Sequence, residues 1–403
     1  MNIAFFCDAY KPTRNGVAVS VATTAEELRR RGHRVTIFAP RYKGYRDADR
    51  DVIRFPAGHW FRAKDFPVAW PLLVRLSPRS RIIFWKRRFD VVHSHSPFTI
   101  GGLGAQWAQP MGIPIVFTFH TLYHRYLHYA PLPPGVARSY TLWRVLRYCQ
   151  SCDHIIAPST PIARIVRRLC PQTPCTVVRT GIHVNRFAGG DGGVVRARYK
   201  ISPDDIVLLY VGRLAWEKNL DFLMRSVAPL LRDSTGQGST ASTGGQLPQV
   251  RLLLVGGGPA LDDLQDLARQ LGTAPYVTFT GFIDPAAIAE YYAAGDIFTF
   301  ASRTETQGVS IAEALAAALP CVVVGAMGAA EAVTDGMDGF VVPPDAARFR
   351  QAVWRLIEDA GLRAAMAANA RIKAPSLSLE HSVDKLLELY STLPSPTSRY
   401  KPG

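Results

Sequence analysis

The chain has no apolar run clean enough to cross a bilayer. Its longest apolar-rich stretch, 311–333, is broken by Glu313, Pro320 and Glu331, whereas a spanning helix needs about 20 consecutive apolar residues. The opening, MNIAFFCDAY, lacks a basic lead and reaches Asp8 before a signal-like core develops. A cytoplasmic protein is therefore expected, one that at most lies on the inner face of a membrane. Cysteine is scarce, six in 403 residues, which excludes a disulfide scaffold. Cys149-x-x-Cys152 and Cys170-x4-Cys175 form a loose quartet. Yet Cys149 falls in a helical run and Cys152 opens an apolar strand, unlike the tight polar turns of zinc knuckles. Buried, reduced thiols are expected there.

Acid is scarce in one half only. Residues 1–200 hold 10 Asp or Glu against 31 Lys or Arg, and residues 201–403 hold 22 against 16, so the net charge of +15 arises in the first half. Such an imbalance concerns what that half meets, not how it folds. No helix-turn-helix, zinc-finger or RNP-type signature accompanies the charge, so nucleic acid is not the expected partner.

What is present is an ordinary soluble composition, 48% hydrophobic and 20% charged, in a chain longer than the roughly 250–300 residues at which single cores stop growing. Apolar strands such as NIAFF, RVTIFAP and PIVFT alternate with helical runs such as 17–31. After 200 the pattern repeats with IVLLYVG, VRLLLVGG, IFTFAS and CVVVG. Near-continuous apolar strands between amphipathic helices predict α/β domains with parallel sheets covered on both faces. Two Rossmann-like, doubly wound domains are expected, facing a central cleft: 1–183, with a C-terminal helix within 376–403 packing back on it, and 184–375. The seam lies in the glycine-rich stretch 181–198. A Ser/Thr/Gly-rich break at 233–249 reads as a solvated loop.

Ligands of open α/β sheets bind at the carboxyl ends of the strands, and the unusual residues lie on the matching loops. Asn15-Gly16 follows the first strand and opens a helix, where backbone N–H groups can approach an anion. Arg213 and Lys218, in GRLAWEKN, straddle a strand-end loop and could clamp a diphosphate. In ETQGVSIAE, Glu305 ends in the loop while Glu313 falls about two turns into the helix. Gly308 and Val309 present free amides between them. Carboxylates suit vicinal hydroxyls because they accept both protons, so this constellation fits a nucleotide sugar.

These motifs, TETQGVSIAE, GRLAWEKN, VGGGP and the opening FFCDAYKPTRNGVAVS, resemble the family 4 retaining glycosyltransferases of GT-B architecture over nearly the whole chain. HSHSPFTIGGLG, TFHTLYHRYLHY and TETQG look closest to the bacterial diacylglycerol glucosyltransferases, with phosphatidylinositol mannosyltransferases as near relatives. The resemblance implies that Gly16, Arg213 and Lys218 hold the donor diphosphate, and Gln307, Gly308 and Val309 are expected to belong to the same nucleotide-sugar site. It implies that Glu313 binds the ribose, and that Glu305 and His120 contact the transferred sugar. Two departures stand out: Gly181-Ile182-His183 where the family often has G-x-D, and Ala318-Leu319-Pro320 where Gly usually precedes the proline. Leaving-group charge would fall on Arg213, Lys218 and the helix N-terminus, so neither metal nor cofactor is expected. The D-x-D of Asp47 and Asp49 reads as a solvated loop. Front-face transfer with retention follows from the family, from a donor such as UDP-glucose to a lipid such as diacylglycerol. GDP-mannose with a phosphatidylinositol-type or soluble acceptor is the alternative, and a non-catalytic basic binding protein the reading of another class. The oligomeric state is left open.

The basic excess has a dense segment. Residues 57–88 carry eight Lys or Arg, six Trp or Phe and one acid. Ser77-Pro78 resembles an N-cap followed by proline at the first helical position. Arg79, Arg81, Trp85, Lys86, Arg87 and Arg88 then suit an interfacial helix on anionic lipid. An ordinary sheet-covering helix with a solvated basic face fits the same residues.

Overall fold

The computed structural model describes all residues except Arg14, 61–62, 71–72, 75–76, 123–133, 234–247 and 397–403. The end of the TFHTLYHRYLHY motif and most of the polar break at 233–249 thus lie outside the described residues. Two compact units are present: Met1–Gly181 with Leu379–Gly403, and Ile182–Ser378.

In the first unit, β1 (Asn2–Phe6), β2 (Arg34–Pro40), β3 (Val52–Phe55), β6 (Val91–Ser94), β7 (Ile115–Thr118), β8 (His154–Ala157) and β9 (Cys175–Val177) form one parallel sheet. A separate hairpin pairs β4 (Ala57–Trp60) with β5 (Ala63–Ala69). Strand order in the sheet is β3-β2-β1-β6-β7-β8-β9, so the chain reverses direction between β1 and β6. Four helices of this unit matter for function: α1 (Gly16–Arg30), α2 (Pro78–Arg87), α3 (Thr99–Ala108) and α4 (Pro134–Gln150).

The second unit is built on the same plan. β10 (Ile206–Val211), β11 (Val250–Val255), β12 (Val277–Phe279), β13 (Ile297–Phe300), β14 (Cys321–Val324) and β15 (Gly339–Val342) run parallel in the order β12-β11-β10-β13-β14-β15. Its reversal lies between β10 and β13. Helix α5 (Val309–Ala316) follows β13, and the chain then returns to the first unit as α6 (Leu379–Thr392).

Continuous apolar strands are stable here because both faces are covered. Every residue of β10, β13 and β14 is buried, and each such side chain contributes about 1.5–3 kcal/mol. On the first sheet, Ile3 and Phe5 pack toward α1 and α6, with Val21, Leu28, Val383, Leu386 and Tyr390. The opposite face is aromatic: Phe6 stacks on Phe38 at 4.4 Å and meets Phe84 of α2 and Trp107 of α3 edge-on. Helix α1 starts where the Asn15 side chain accepts the Ala18 amide at 2.8 Å. It stops at Gly32, whose left-handed φ of 84° suits a residue without Cβ. The α/β class and paired Rossmann-like units expected from the sequence are both present.

Candidate functional site

The reversal points between β1 and β6 and between β10 and β13 are where the predicted residues collect. Ligands bind beside such points, off the carboxyl ends of the strands. Gly16 opens α1 directly after the β1 loop. A Cβ there would meet nothing within 4 Å, and its φ is not among the positive ones. Neither internal packing nor backbone conformation therefore demands glycine at this position.

Beside it, β6 and β7 bring three histidines together. His93 is clamped between Tyr390 Oη (2.5 Å from Nδ1) and Thr118 Oγ1 (2.6 Å from Nε2). His95 stacks on His93 at 4.3 Å, and its Nδ1 lies 3.0 Å from His120 Nε2. His95 Nε2 is buried without a partner among the described residues. The two rings thus share one hydrogen bond, His95 Nδ1 to His120 Nε2, whose direction is set by the tautomer. Burial pushes His120 down to about 4 and His93 to about 3, so both rings are neutral near pH 7. Asp8 steadies the neighbouring loop by accepting from Ser96 Oγ and, at 2.9 Å, from the Ile100 amide at the start of α3. His95 was not singled out by the sequence, although the repeated histidines of HSHSP are the signal that could have found it.

In the second unit, the GRLAWEKN loop after β10 is fastened to the loop after β13. Asn219, in the left-handed region at φ 58°, donates to the Ala301 carbonyl at 3.1 Å. Ser302 Oγ donates to the Glu217 carbonyl at 3.2 Å. The result is an ion pair between Lys218 and Glu305, with both side chains 19% exposed. Arg213 lies at the start of the same loop, where its carbonyl accepts the Tyr210 hydroxyl at 3.1 Å. The VGGGP motif now has a packing reason. A Cβ on Gly256 would stand 2.0 Å from the Gly212 carbonyl, and one on Gly258 2.2 Å from that of Leu214.

Gln307 leads into α5. Gly308, its N-cap, adopts φ 78° and offers no side-chain cap. The Val309 and Ser310 amides donate to no protein acceptor among the described residues. Two turns on, Glu313 accepts the Tyr292 hydroxyl at 2.6 Å, and burial raises its pKa to about 6 against the pull of Tyr292 and Arg186. Arg213, Lys218, Glu305, Gly308, Val309 and Glu313 thus lie on two adjacent strand-end segments of one unit. Sequence reading missed Tyr292 and Arg186. It also missed Phe282, an 84% exposed phenyl beside Gly257 in the VGGGP loop.

Elsewhere, Asp47 pairs with Arg54 and Asp49 with Arg29, each at 2.7 Å, so both carboxylates brace the loop rather than standing solvated alone. Cys149, Cys152 and Cys170 are buried, whereas Cys175 is half-buried, and all four are free thiols. Among the described residues no group of three or more His, Cys, Asp or Glu is placed to share a metal ion. Helix α2 does begin at Pro78 after Ser77, but without a capping bond from the Ser77 side chain. Arg79, Arg81, Trp85, Lys86 and Arg88 are exposed. Arg87 departs from that set: its guanidinium turns toward the sheet edge and bonds Asp51 and Thr36 at 2.5 Å.

Residues 14–186 match the family described as Glycosyltransferase Family 4, and residues 205–359 that described as Glycosyl transferases group 1. An alpha-monoglucosyldiacylglycerol synthase of Streptococcus pneumoniae is 30% identical over 331 residues, 81% of this chain and 71% of that protein. A protein of the same name from Acholeplasma laidlawii is 29% identical over 80% of each chain. A GDP-mannose-dependent alpha-mannosyltransferase of Mycobacterium tuberculosis is 31% identical over 85% of this chain and 84% of its own. Among solved structures, Anabaena HepE in complex with UDP superposes with a TM-score of 0.75 at 21% identity, covering 98% of this chain and 100% of its own.

Proposed function

Since the chain belongs to the family 4 glycosyltransferases and has their GT-B fold, we propose that this glycosyltransferase moves glucose from UDP-glucose to a hydroxyl of diacylglycerol, with retention. The observation that carries the donor half is the Lys218–Glu305 pair set beside the open N-terminus of α5, with Glu313 two turns further along. The acceptor half is carried over from the two relatives named as alpha-monoglucosyldiacylglycerol synthases.

In this reading the two amides at the start of α5, Arg213 and Lys218 hold the diphosphate. As the sugar–phosphate bond breaks, negative charge grows on the departing diphosphate while the sugar gains oxocarbenium character. Fixed cations and aligned amides stabilise that charge without reorganising, and they supply the role a metal would otherwise fill. Glu305, already holding the Lys218 ammonium, accepts hydrogen bonds from sugar hydroxyls, and Glu313 accepts those of the ribose. Phe282 offers a face on which the base can stack. From the first unit, Gly16 leaves room for phosphate oxygens, and neutral His120 hydrogen-bonds the transferred sugar. The departing phosphate accepts the proton of the attacking hydroxyl on the same face of the sugar.

A lipid acceptor requires access to a membrane. No described helix is long and apolar enough to cross one, so the proposed location is peripheral, on the inner face. The exposed cations of α2 with Trp85, 52% exposed, suit anionic lipid. GDP-mannose is the second donor to test, because the mannosyltransferase relative aligns over a larger share of this chain than either synthase.

Radiolabelled UDP-glucose and GDP-mannose, each offered with diacylglycerol, phosphatidylinositol or a soluble sugar, test the assignment directly. Product from UDP-glucose and diacylglycerol is expected. Glu305→Gln should lower turnover on the order of 10²–10³-fold with the circular dichroism spectrum unchanged. Full activity in that variant would remove Glu305 from the site.

A further inference from the structure

Helices α2, α3 and α4 form one layer on the aromatic face of the first sheet. Phe6 meets α2 and α3 through Phe84 and Trp107. Phe6, Ser94 and Phe117 are register partners across β1, β6 and β7, so their side chains share that face. Phe117 in turn packs edge-on against Tyr148 of α4 at 5.1 Å. The layer is continuous: Trp107 of α3 lies 5.3 Å from Phe84 of α2, and Tyr148 Oη donates to the Gly101 carbonyl of α3 at 3.0 Å. Central α3 is buried along most of its length, so the outward faces of α2 and α4 flank it on the same side of the first unit.

Those outward faces share an unusual chemistry. None of the three helices contains an acid, and from residue 66 to 152 the chain has ten Lys or Arg against one acid, Asp90. Asp90 is occupied by the Asn2 amide at 2.6 Å. The opposite layer, α1 and α6, carries Glu26, Glu27, Glu380, Asp384 and Glu388. Helix α4 buries Ala137, Thr141, Val145 and Tyr148 and turns Val136, Tyr140 and Trp143 outward, at 58%, 52% and 56% exposure. Positions i, i+4 and i+7 make one stripe, with Tyr140 and Trp143 6.1 Å apart and exposed Arg138 and Arg147 close in sequence. Across α3, Ile82 and Trp85 of α2 are exposed to a similar degree, with Arg81 over the Trp85 ring at 4.7 Å.

We infer that the α4 stripe is a second docking element for an anionic lipid surface, acting together with α2, so that the outward faces of both helices meet the membrane. This rests on the lipid-acceptor reading above. Charge complementarity selects the occupant: phosphate headgroups match the exposed cations, and Tyr and Trp are side chains that settle at the boundary of headgroup and acyl chain. The basic helix alone gives salt-sensitive attraction, whereas the exposed rings of α4 add apolar insertion that salt does not screen.

The full chain, wild type and Tyr140→Ser/Trp143→Ser, should be floated with vesicles of phosphatidylcholine containing phosphatidylglycerol, at low and high salt. Both are then assayed on long-chain diacylglycerol in vesicles and on a short-chain, water-soluble diacylglycerol. The double variant should lose on the order of tenfold in vesicle partition, most visibly at high salt, and vesicle-borne transfer should fall with it. Transfer to the soluble acceptor should be unchanged, which shows the fold and donor site are intact. Unchanged partition overturns the inference, as does a change of sedimentation mass in the double variant, which would mark the stripe as a contact between copies. Loss of partition without transfer to either diacylglycerol would instead keep the docking surface and refute the acceptor.

Discussion

Acidification should release the nucleotide sugar by neutralising one carboxylate, Glu313. Burial lifts this group to about 6, with the Tyr292 hydroxyl and the Arg186 charge holding it partly down. The sign is that of a raised acid: the carboxylate is present above about pH 6 and is lost as pH falls through that value. Its ionised fraction drops about tenfold between about pH 7 and about pH 5, against roughly 1.2-fold for an ordinary glutamate. Only the ionised form accepts both ribose protons, so donor affinity should weaken by about the same tenfold. A nucleotide diphosphate sugar has both phosphates esterified, so the ligand adds no ionisation of its own in this window. His93 and His120, pushed to about 3 and about 4, stay neutral through it as well. Calorimetric titration of UDP-glucose at intervals between about pH 5 and about pH 8 measures the effect. Glu313→Gln should bind weakly and with a flat profile. Affinity constant within about twofold across the range, or the same slope in the variant, would refute the assignment.

Gly308→Ala forces a Cβ into the left-handed region at φ 78°, 2.8 Å from Ile311 Cδ1. It should cost about 1–2 kcal/mol in denaturant midpoint, and donor affinity should fall as the α5 amides shift. Gly101→Ala would place Cβ 1.6 Å from the Ser96 carbonyl; thermal unfolding should show one of the larger losses available to a single methyl, more than about 3 kcal/mol. Lys218→Met removes the partner of Glu305, so a double-mutant cycle with Glu305→Gln on donor binding should show coupling of roughly 1–3 kcal/mol. His95→Phe deletes the ring nitrogen bonded to His120 Nε2. Turnover should fall at least about tenfold with donor KM little changed, and nitrogen NMR should report a changed His120 tautomer.

Much of this was legible in the chain because the pattern was local. Uninterrupted apolar strands such as IVLLYV can persist only in a sheet covered twice, and the seven residues between Glu305 and Glu313 fix a loop-then-helix placement whatever the surroundings. Arg213 and Lys218 were legible as loop cations for the same reason. What stayed hidden depends on contacts between segments far apart in sequence. Lys218 meets Glu305 because Asn219 and Ser302 tie two loops together, and no spacing announces that knot. His95 needs β6 beside β7 before it can reach His120. Arg87 reads as one more exposed cation until Asp51 arrives on the adjacent strand edge. Helix α4 mixes apolar residues around its whole circumference, so its sequence does not say whether Tyr140 or Tyr148 faces inward.

The return of the chain as α6 has a consequence for biosynthesis. The layer covering Ile3, Phe5, Val91 and Val116 is completed by Leu379, Val383, Leu386 and Tyr390, which leave the ribosome only after the whole second unit. At about 5–20 residues per second, the intervening 182–378 take roughly 10–40 s to make, and for that interval the first-made sheet has half a cover on one face. The second unit, sequence-contiguous, can finish before the first. A nascent chain stalled or cleaved ahead of α6 would therefore carry a complete second unit and a sticky, unfinished first one. It would also lack the Tyr390 hydroxyl that fixes His93.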